Sequence, residues 1–537
     1  MGHSWQPDSV DFRPHLDDSG RIALVHNGVI ENHETLRTWL QAEGVQFSSE
    51  TDSESLAQLI GFLYTLNGDF IASVREALGR VEGTFGVSIL CNDHPDLLVA
   101  ARRGSSLIAG IGDGEHIVAS DASAIVAHTH DAIFLDDDEV LCLTPDTRET
   151  SRIDRTPVEK SVYHIDVRLD DVELGGFEHH MLKEIFEQPR RLEDCLNGRL
   201  SDGRETLKLR GLEELQETNP DLERVLLFGC GTAWHAALVG RYLIEELARI
   251  PCQVEYASEL RYRNPIIAPG TLAVPVSQSG ETADTLAALE EVVHRGAASL
   301  GVVNAVGSMI ARKCDSGVYL HAGTEVGVAS TKAFTSQIAV LTLVAAALGR
   351  QRKLPRDDYE DLLDHVGELP AQLDEALTVN GQVRDVAQHF VECENWLYHG
   401  RGINYPVALE GALTLKEVSY VHAEGMPAAE MKHGPIAMID SSMPVVTIAA
   451  RDHTYSKVVA NIEEVRSRGG RVIAVTSYPD PQLSRLADSV ICVPRTLPVL
   501  TPILMNIPLQ LLAYHMAALK GLDADRPRNL AKSVTVE

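Results

Sequence analysis

The C-terminal part of the chain alternates short, largely apolar runs with longer stretches of helical periodicity. The pattern occurs twice, opening at the runs 225–229 and 396–400. Further apolar runs lie near 254–256, 271–276, 299–303 and 317–320 in the first copy, and near 444–449, 471–476 and 489–493 in the second. Strand-length runs separated by helices are typical of a parallel sheet with helices on both faces. The pattern therefore predicts an α/β fold with two copies of one three-layered unit.

The N-terminal part has a different pattern, in which short alternating segments outnumber helices. Residues 21–28 predict a strand that ends in a tight Asn27-Gly28 turn, and residues 29–41 and 51–66 predict helices. The second of these helices opens with a capping pattern, Thr51-Asp52-Ser53-Glu54. Short apolar or alternating segments follow near 84–91, 97–101, 107–110, 116–119 and 132–134. This pattern indicates a mixed α+β domain with much antiparallel sheet.

The polar, turn-rich stretch 144–157 marks a boundary between the two patterns. A chain of 537 residues is also too long for a single core. The predicted division is a first domain at 1–147, a connector at 148–215, α/β domains at 216–353 and 386–520, and a C-terminal tail at 521–537.

Composition narrows the classes of partner. The net charge of −30 argues against nucleic acid and against anionic membrane surfaces. The eight cysteines are scattered, none in a Cys-x-x-Cys motif, and the first residues do not have the pattern of a signal peptide. We therefore expect a cytoplasmic protein with reduced thiols. The apolar stretches 338–348 and 499–519 are too short or too interrupted to span a bilayer, so they predict buried helices.

The most suggestive single stretch is 272–293, in which a buried strand feeds a hydroxyl-rich loop that opens a helix. The first turn of a helix has unpaired N–H groups and the positive end of the helix dipole, which suits an anion. Ser277, Ser279 and Thr282 add hydroxyl donors without fixed charge. The loop predicts a phosphate pocket for a small ligand. An ordinary N-cap with neighbouring serines would have the same sequence, because helix starts favour Ser and Thr.

Three segments of the N-terminal domain resemble the class II glutamine amidotransferase domain: residues 25–32, 50–54 and 82–86. In that family an N-terminal Cys attacks the glutamine amide and its own α-amino group is the base. The resemblance implies that Asn27 and Gly28 form the oxyanion hole and that Asp52 holds the amino group of the substrate. An amide side chain and a Gly backbone N–H suit a developing oxyanion.

This sequence does not contain the N-terminal Cys that is the nucleophile of that family. Residue 2 is Gly, and the first cysteine, Cys91, lies in a predicted strand and has no free α-amino group. His3-Ser4-Trp5 resembles the end of the family's glutamine-binding segment. Either the sequence is a fragment or has a misplaced start, or the glutaminase activity is lost and only free ammonia serves. We favour the first, since Asn27 and Asp52 would have no function in an inactive domain.

The chain from about 225 to its last residue resembles the tandem sugar-isomerase (SIS) domains of the glutamine–fructose-6-phosphate aminotransferase family. The matching motifs are Ser277 to Thr282, Gly323 to Thr335 and Pro527 to Glu537, and residues 177–189 resemble the family's linker. The sugar-phosphate contacts that the resemblance implies are Thr232, Ser277, Gln278, Ser279, Thr282, Val328, Ser330 and Ala531. Ala233 stands where the family usually has Ser, which removes one hydroxyl donor.

The resemblance also implies the catalytic residues. Lys532 forms a Schiff base with the ketose carbonyl, so no cofactor is needed; without the resemblance it would read as a solvated lysine of a tail. Glu417, seven residues after Glu410, moves a proton between C1 and C2, although a solvated helix stripe would have the same spacing. His433 opens the sugar ring in the site of a neighbouring subunit, which implies a homodimer; a lone His is otherwise more often structural. Thr414 replaces a family lysine.

The expected function is conversion of fructose 6-phosphate, with glutamine or free ammonia, to glucosamine 6-phosphate for amino-sugar synthesis. Thr414 keeps an alternative open, an ammonia-dependent sugar-phosphate isomerase or a deglycase. A non-catalytic sugar-phosphate sensor is the third alternative, against which Lys532, Glu417 and His433 argue. His179 and His180 are adjacent and point different ways on a helix, so no metal site is predicted.

Overall fold

The computed structural model of the chain describes residues 14–121, 124–165, 173–201 and 203–532. The described residues up to 165 form one compact unit, and those from 173 onward form a second. We refer to them as unit 1 and unit 2.

Unit 1 is an α+β unit with two antiparallel sheets in its described part. Its strands are β1 His15–Leu16, β2 Ile22–Ile30, β3 Gly83–Cys91, β4 His94–Arg103, β5 Ile108–Ile111, β6 His116–Ala119, β7 Asp131–Phe134, β8 Glu139–Leu143, β9 Arg148–Arg152 and β10 Tyr163–His164. Its helices are α1 His33–Ala42, α2 Asp52–Asn67 and α3 Phe70–Arg80. The sheet orders are β1-β2-β3-β4-β8-β9 and β10-β7-β5-β6. The predicted mixed domain with antiparallel sheet is confirmed.

The predicted Asn27-Gly28 turn is wrong. Strand β2 continues through both residues to Ile30, because Asn27 pairs with Gly86 and Gly28 with Phe85 in β3. Helix α1 consequently begins at His33, four residues after the predicted start. The capping pattern at 51–54 is confirmed, since the Thr51 side chain accepts the Glu54 N–H at the start of α2.

Unit 2 contains both α/β copies and the helices that join them. Its strands are β11 Arg224–Gly229, β12 Cys252–Tyr256, β13 Thr271–Ser277, β14 Ala298–Val303, β15 Ser316–Tyr319, β16 Asn395–Gly400, β17 His422–Pro427, β18 Pro444–Ala449, β19 Arg471–Thr476 and β20 Ser489–Cys492. Its helices are α4 His180–Leu196, α5 Arg210–Thr218, α6 Thr232–Leu243, α7 Ala257–Leu260, α8 Ala283–His294, α9 Met309–Lys313, α10 Lys332–Arg350, α11 Arg356–Leu377, α12 Asn380–Phe390, α13 Tyr405–Ser419, α14 Tyr455–Arg466, α15 Leu483–Leu486 and α16 Thr501–Leu519.

The two sheets of unit 2 have the same topology. The strand orders are β12-β11-β13-β14-β15 and β17-β16-β18-β19-β20, and all pairs are parallel. In both, the first strand lies between the second and the third, which creates a topological switch point beside it. The prediction of two copies of one parallel α/β unit is confirmed.

The two most apolar stretches are core helices. Helix α10 and the segment Pro498–Leu519, which contains α16, are long and apolar enough to cross a membrane, yet they are 94% and 89% buried within the protein. Both contribute to one large hydrophobic core that also takes in α4, α6 and α13. Their apolar character is therefore accounted for by burial against neighbouring elements of unit 2.

Candidate active site

Two helix starts meet at the switch point of the first parallel sheet. Strands β11 and β13 are neighbours, with Val225 opposite Leu272, and each feeds a short loop into a helix of twelve residues, α6 or α8. The N-cap residues, Gly231 and Thr282, make no side-chain capping bond. The first N–H groups of α8 are therefore not taken by a cap, which is the arrangement that binds an anion such as phosphate. In the first turn of α6, the Ala233 and Trp234 N–H groups donate to the Cys230 and Gly231 carbonyls.

The loop from Ser277 to Thr282 is shaped by its own hydroxyls. Ser277 is buried, and its Oγ accepts the Gly280 N–H at 2.9 Å and lies 3.5 Å from Thr282 Oγ1. Ser279 Oγ accepts the Glu281 N–H at 3.1 Å. Thr282, Ser279 and Gln278 are half-buried. Ser277 thus holds the conformation of the loop, while the side chains of Gln278, Ser279 and Thr282 remain partly accessible.

Thr232, predicted as a further phosphate contact, has another partner in this structure. Its Oγ1 donates to Glu410 Oε1 at 2.9 Å, and His235 Nδ1 donates to Glu410 Oε2 at 2.7 Å. Thr232 and His235 lie on α6 of the first copy, whereas Glu410 lies on α13 of the second. The two copies therefore meet at a buried polar contact, and the sequence pattern gave no signal for His235.

Lys532 lies against the segment that contains Val328 and Ser330. Its Nζ donates to Glu325 Oε2 at 2.6 Å and to the Gly327 carbonyl at 2.8 Å, with 23% of the Lys532 side chain exposed. The Val328 N–H in turn donates to the Asp525 carbonyl at 3.1 Å. The C-terminal segment therefore contacts the second predicted sugar-binding segment. Ala531 is exposed beside Lys532, and residues 533–537 of the predicted tail lie outside the described residues.

Glu325 is the counter-charge of Lys532 and was not singled out by the sequence. It is 4% exposed and also accepts the N–H groups of Thr331 and Ala333, at 2.8 and 3.1 Å, where α10 begins. Burial alone would raise the pKa of Glu325, but the Lys532 ammonium and these hydrogen bonds outweigh it and hold the pKa below its ordinary value. A carboxylate is thus kept ionised beside the amine.

The connector helix α4 also reaches this segment. Glu184 Oε1 accepts the N–H groups of Val326 and Gly327, and Asp525 caps the start of α4 by accepting the His180 and Met181 N–H groups at 2.8 and 2.7 Å. Burial, followed by the nearby Glu325 charge, raises the pKa of Glu184. The segment at 323–335 and the C-terminal segment at 521–532 are therefore both anchored to one helix.

Glu417 lies near Lys532 and has the protonation behaviour of an acid–base group. Burial, and after it the charge of Glu410, raises the pKa of Glu417 to about 7, while Lys532 and Lys416 act in the opposite direction. A group with a pKa near neutrality is suited to move protons. Glu410, at 0% exposure, and half-buried Glu417 do not form a solvated helix stripe.

His433 is not joined to Lys532 or Glu417 by any hydrogen bond or ion pair within the described residues. It is exposed at the end of a 3-10 turn, Glu430–His433, whose Met431 packs with α14 on one face of the second sheet. Leu415 of α13 belongs to the core on the other face. The turn carrying His433 and the helix carrying Glu417 thus pack on opposite faces.

In unit 1 the glutaminase-type residues lie around the start of α2. Asp52 Oδ2 accepts the Ile30 N–H at 2.9 Å and lies 3.9 Å from His26 Nδ1. Asn27 and Gly28 are half-buried on β2. Cys91, by contrast, is 2% exposed in β3 and packs in the hydrophobic core. The structure therefore excludes Cys91 as a nucleophile, as its place in a predicted strand indicated.

Gly28 stands where a side chain does not fit. Its φ is +147°, and a Cβ would lie 2.2 Å from the Thr84 carbonyl oxygen. We expect Gly28→Ala to cost about 3 kcal/mol, through overpacking against a backbone atom that cannot move aside. Calorimetry of the full chain should show the unit 1 transition at a clearly lower temperature.

Gly20→Ala is the matched control, because Gly20 also has a positive φ, +68°, but no atom lies within 4 Å of its Cβ position. That change should cost only about 1 kcal/mol. Equal losses from both glycines would contradict the steric reading of Gly28.

No three His, Cys, Asp or Glu side chains come together as a metal-binding group in the described ranges. His179 Nδ1 lies 3.2 Å from the Tyr514 hydroxyl and His180 begins α4, so the two adjacent histidines serve different contacts.

Comparisons with known proteins give matches to both parts of the chain. The SIS domain family matches residues 221–347 and 389–520, and the glutamine amidotransferase domain family matches 8–127. Two solved structures match the SIS half. The C-terminal domain of glucosamine-fructose-6-phosphate aminotransferase from Francisella tularensis is 35% identical, with a TM-score of 0.62, and covers 66% of this chain and 100% of its own. A glucosamine-6-phosphate deaminase from Thermotoga maritima, 22% identical with a TM-score of 0.53 and coverage of 66% and 99%, is similar in fold.

Relatives also match over nearly the full length of the chain. A glutamine–fructose-6-phosphate aminotransferase (isomerizing) from Chlorobaculum tepidum is 49% identical over 533 residues, which are 99% of this chain and 87% of the relative. The enzyme of the same name from Bacteroides thetaiotaomicron is 46% identical over 536 residues, with the same coverage. On this similarity, the chain belongs to the family of isomerizing glutamine–fructose-6-phosphate aminotransferases.

Proposed function

We propose that this protein converts fructose 6-phosphate and ammonia, taken from glutamine or from solution, to glucosamine 6-phosphate and water. The observation that carries the proposal is the Lys532–Glu325 ion pair, which holds the Lys532 amine against the segment with Val328 and Ser330. The charge of this amine also acts on Glu417. A phosphate sensor does not need an amine near a group that titrates around neutrality. The protein works in the cytoplasm without a cofactor, as part of amino-sugar synthesis.

Different residues bind the phosphate, form the imine and transfer the proton in this proposal. The starts of α6 and α8, with Ser279 and Thr282, hold the phosphate. The Lys532 amine attacks C2 of the open ketose and water leaves, which gives an imine; ammonia then displaces the lysine from C2. Glu417 takes a proton from C1 and returns it at C2, while the O1 hydroxyl proton passes to the imine nitrogen, so that the 2-imine becomes a 2-amino aldose. Sugar, ammonia and lysine are balanced, and one water is released.

Ring opening belongs to His433 of a second copy in this proposal, so that the active form is a homodimer. The support is that the His433 turn packs on the sheet face opposite α13 and leaves the side chain exposed. A histidine in that position is available to another subunit. Histidine is the side chain that most often serves as a general acid or base in catalysis.

The test is incubation of the full chain with fructose 6-phosphate and either ammonium or glutamine, with glucosamine 6-phosphate as the measured product. Product with ammonium supports the proposed conversion of the sugar phosphate by unit 2. Product with glutamine also identifies glutamine as a nitrogen donor. Isomerisation without nitrogen incorporation would favour the isomerase alternative. Tight binding of the sugar phosphate without turnover would favour the sensor.

The phosphate loop has a test of its own. Thr282→Val keeps the shape of the side chain at the uncapped start of α8 but removes the hydroxyl. One lost hydrogen bond is worth about 0.5–1.5 kcal/mol, so KM for fructose 6-phosphate should rise roughly 2- to 10-fold with little change in kcat. Thr282→Ser should retain the wild-type KM. An unchanged KM in the valine variant would remove Thr282 from the phosphate site.

A further inference from the structure

The contact between the two α/β copies at Glu410 lies on the same helix as Glu417, the proposed base. Glu410 is completely buried, and its two carboxylate oxygens accept hydrogen bonds from Thr232 Oγ1 and His235 Nδ1 of α6. His235 is itself 8% exposed. A buried carboxylate that accepts one donor on each oxygen is fixed in position and stabilised as the charged form. The contact therefore holds a negative charge at a defined place on α13.

Glu417 is two helical turns further along the same helix. Seven residues of helix rise about 10 Å, and residues seven apart lie on the same face. The side chain between them, Thr414, is buried, uncharged and donates to the Glu410 carbonyl at 3.0 Å. Thr414 therefore adds no charge between the Glu410 and Glu417 carboxylates.

Three charged groups within the described residues act on Glu417. Glu410 and Lys416 act from α13 itself, and Lys532 acts from the C-terminal segment. Helix α6, which packs against α13, contributes His235 through its bond to Glu410. Of these groups only Glu410 makes Glu417 hold its proton more tightly. Its charge therefore opposes the two lysines.

We propose that Glu410, held by His235 and Thr232, is a positioning residue whose buried charge sets the strength of Glu417 as the base of the reaction. The inference rests on the proposed function. Without this charge, the two lysines would make Glu417 a weaker base that stays ionised to lower pH. The contact from α6 thus links the helix start proposed for phosphate to the group that moves the proton.

The experiment compares the pH dependence of kcat, with ammonium as nitrogen donor, in the wild type and Glu410→Gln. The amide keeps the shape and removes the charge. Two charges about 10 Å apart at intermediate dielectric shift a titration by about one pH unit. The acid limb of kcat should therefore move about one pH unit lower in the variant. A merely structural role would lower kcat at all pH values and leave the limb in place.

A second pair of variants tests how Glu410 is held. His235→Ala removes a donor that holds the Glu410 charge in place, so the acid limb should again move to lower pH. His235→Asn places an amide donor close to where Nδ1 stands and should return the limb to the wild-type position. This pair decides the question if Glu410→Gln does not fold, which thermal unfolding of each variant would reveal.

The two proposals fail in different ways. No turnover and no imine formation by the wild-type protein would overturn the proposed function and this inference together. Wild-type turnover with an acid limb that stays in place in both Glu410→Gln and His235→Ala would overturn only the inference. A limb shifted equally by His235→Ala and His235→Asn would also overturn it, because the donor to Glu410 would then have no part in the effect.

Discussion

Lys532→Ala is expected to abolish the formation of glucosamine 6-phosphate, with kcat lower by on the order of 10⁴-fold or more, because no other group replaces a covalent nucleophile. Within the described residues the Lys532 amine is directed at Glu325 and at the Gly327 carbonyl, beside the predicted sugar segment. Reduction with cyanoborohydride in the presence of fructose 6-phosphate should attach one sugar phosphate to the peptide that contains Lys532. Mass spectrometry of the digested protein measures both the extent and the place of the attachment.

Two matched variants separate the chemistry from the charge. Lys532→Arg keeps a cation for Glu325 but forms no imine, so it should be as inactive as the alanine variant. Lys520→Ala removes an exposed lysine at the end of α16 and should leave turnover and labelling unchanged. Labelling that persists in Lys532→Ala would show that another amine forms the imine and would contradict the assignment.

The periodic features of the fold were predictable because they depend on neighbours in the sequence. Apolar runs of strand length and the helices between them lead directly to the two parallel sheets of unit 2. The loop at 277–282 was found for the same reason, since a strand end and a helix start lie within a few residues of each other. Local signals of this kind do not need knowledge of tertiary contacts.

The errors and omissions come from contacts between distant residues. The Asn27-Gly28 pair has the composition of a turn, but pairing with β3, more than fifty residues away, keeps it in the strand. Thr232 stays a predicted phosphate contact, but nothing in the pattern indicated that its hydroxyl donates to Glu410, 178 residues further along the chain. Glu325 lies within the motif from Gly323 to Thr335, but the pattern does not indicate its role, because its partner Lys532 is 207 residues away. Such partners become visible only in the folded protein.

Burial, and not the sequence pattern, argues against the alternatives of a solvated helix stripe for Glu417 and a solvated tail lysine for Lys532. A helix with carboxylates seven residues apart reads equally well as a solvated face. The structure buries Glu410 completely and places the Lys532 charge where it acts on Glu417. Burial and a specific charge partner are the features that mark functional carboxylates among the many on a surface.

Glu417→Gln is expected to lower kcat by about 10²- to 10⁴-fold, because the amide cannot carry a proton from C1 to C2. KM for fructose 6-phosphate should change little, and imine formation at Lys532 should persist. Glu424→Gln, an exposed carboxylate on β17, is the matched control and should keep wild-type turnover. A Glu417→Gln variant with more than about a tenth of the wild-type kcat would show that another group moves the proton.

The same variant should be more stable than the wild type, but only at high pH. The pKa of Glu417 is raised from 4.5 to about 7 in the folded protein, so the folded state binds this proton more tightly than the unfolded state does. Stability from this group is present in full below pH 4.5 and is lost as the pH rises through 7. Glu417→Gln removes the charge that burial disfavours, so its melting temperature should exceed the wild-type value at pH 8 and match it at about pH 4. Calorimetry at the two pH values measures the difference, and a gain of the same size at both would mean that the amide stabilises through contacts and not through the missing charge. Lower activity together with higher stability above neutrality is the outcome expected of a buried carboxylate kept for its chemistry.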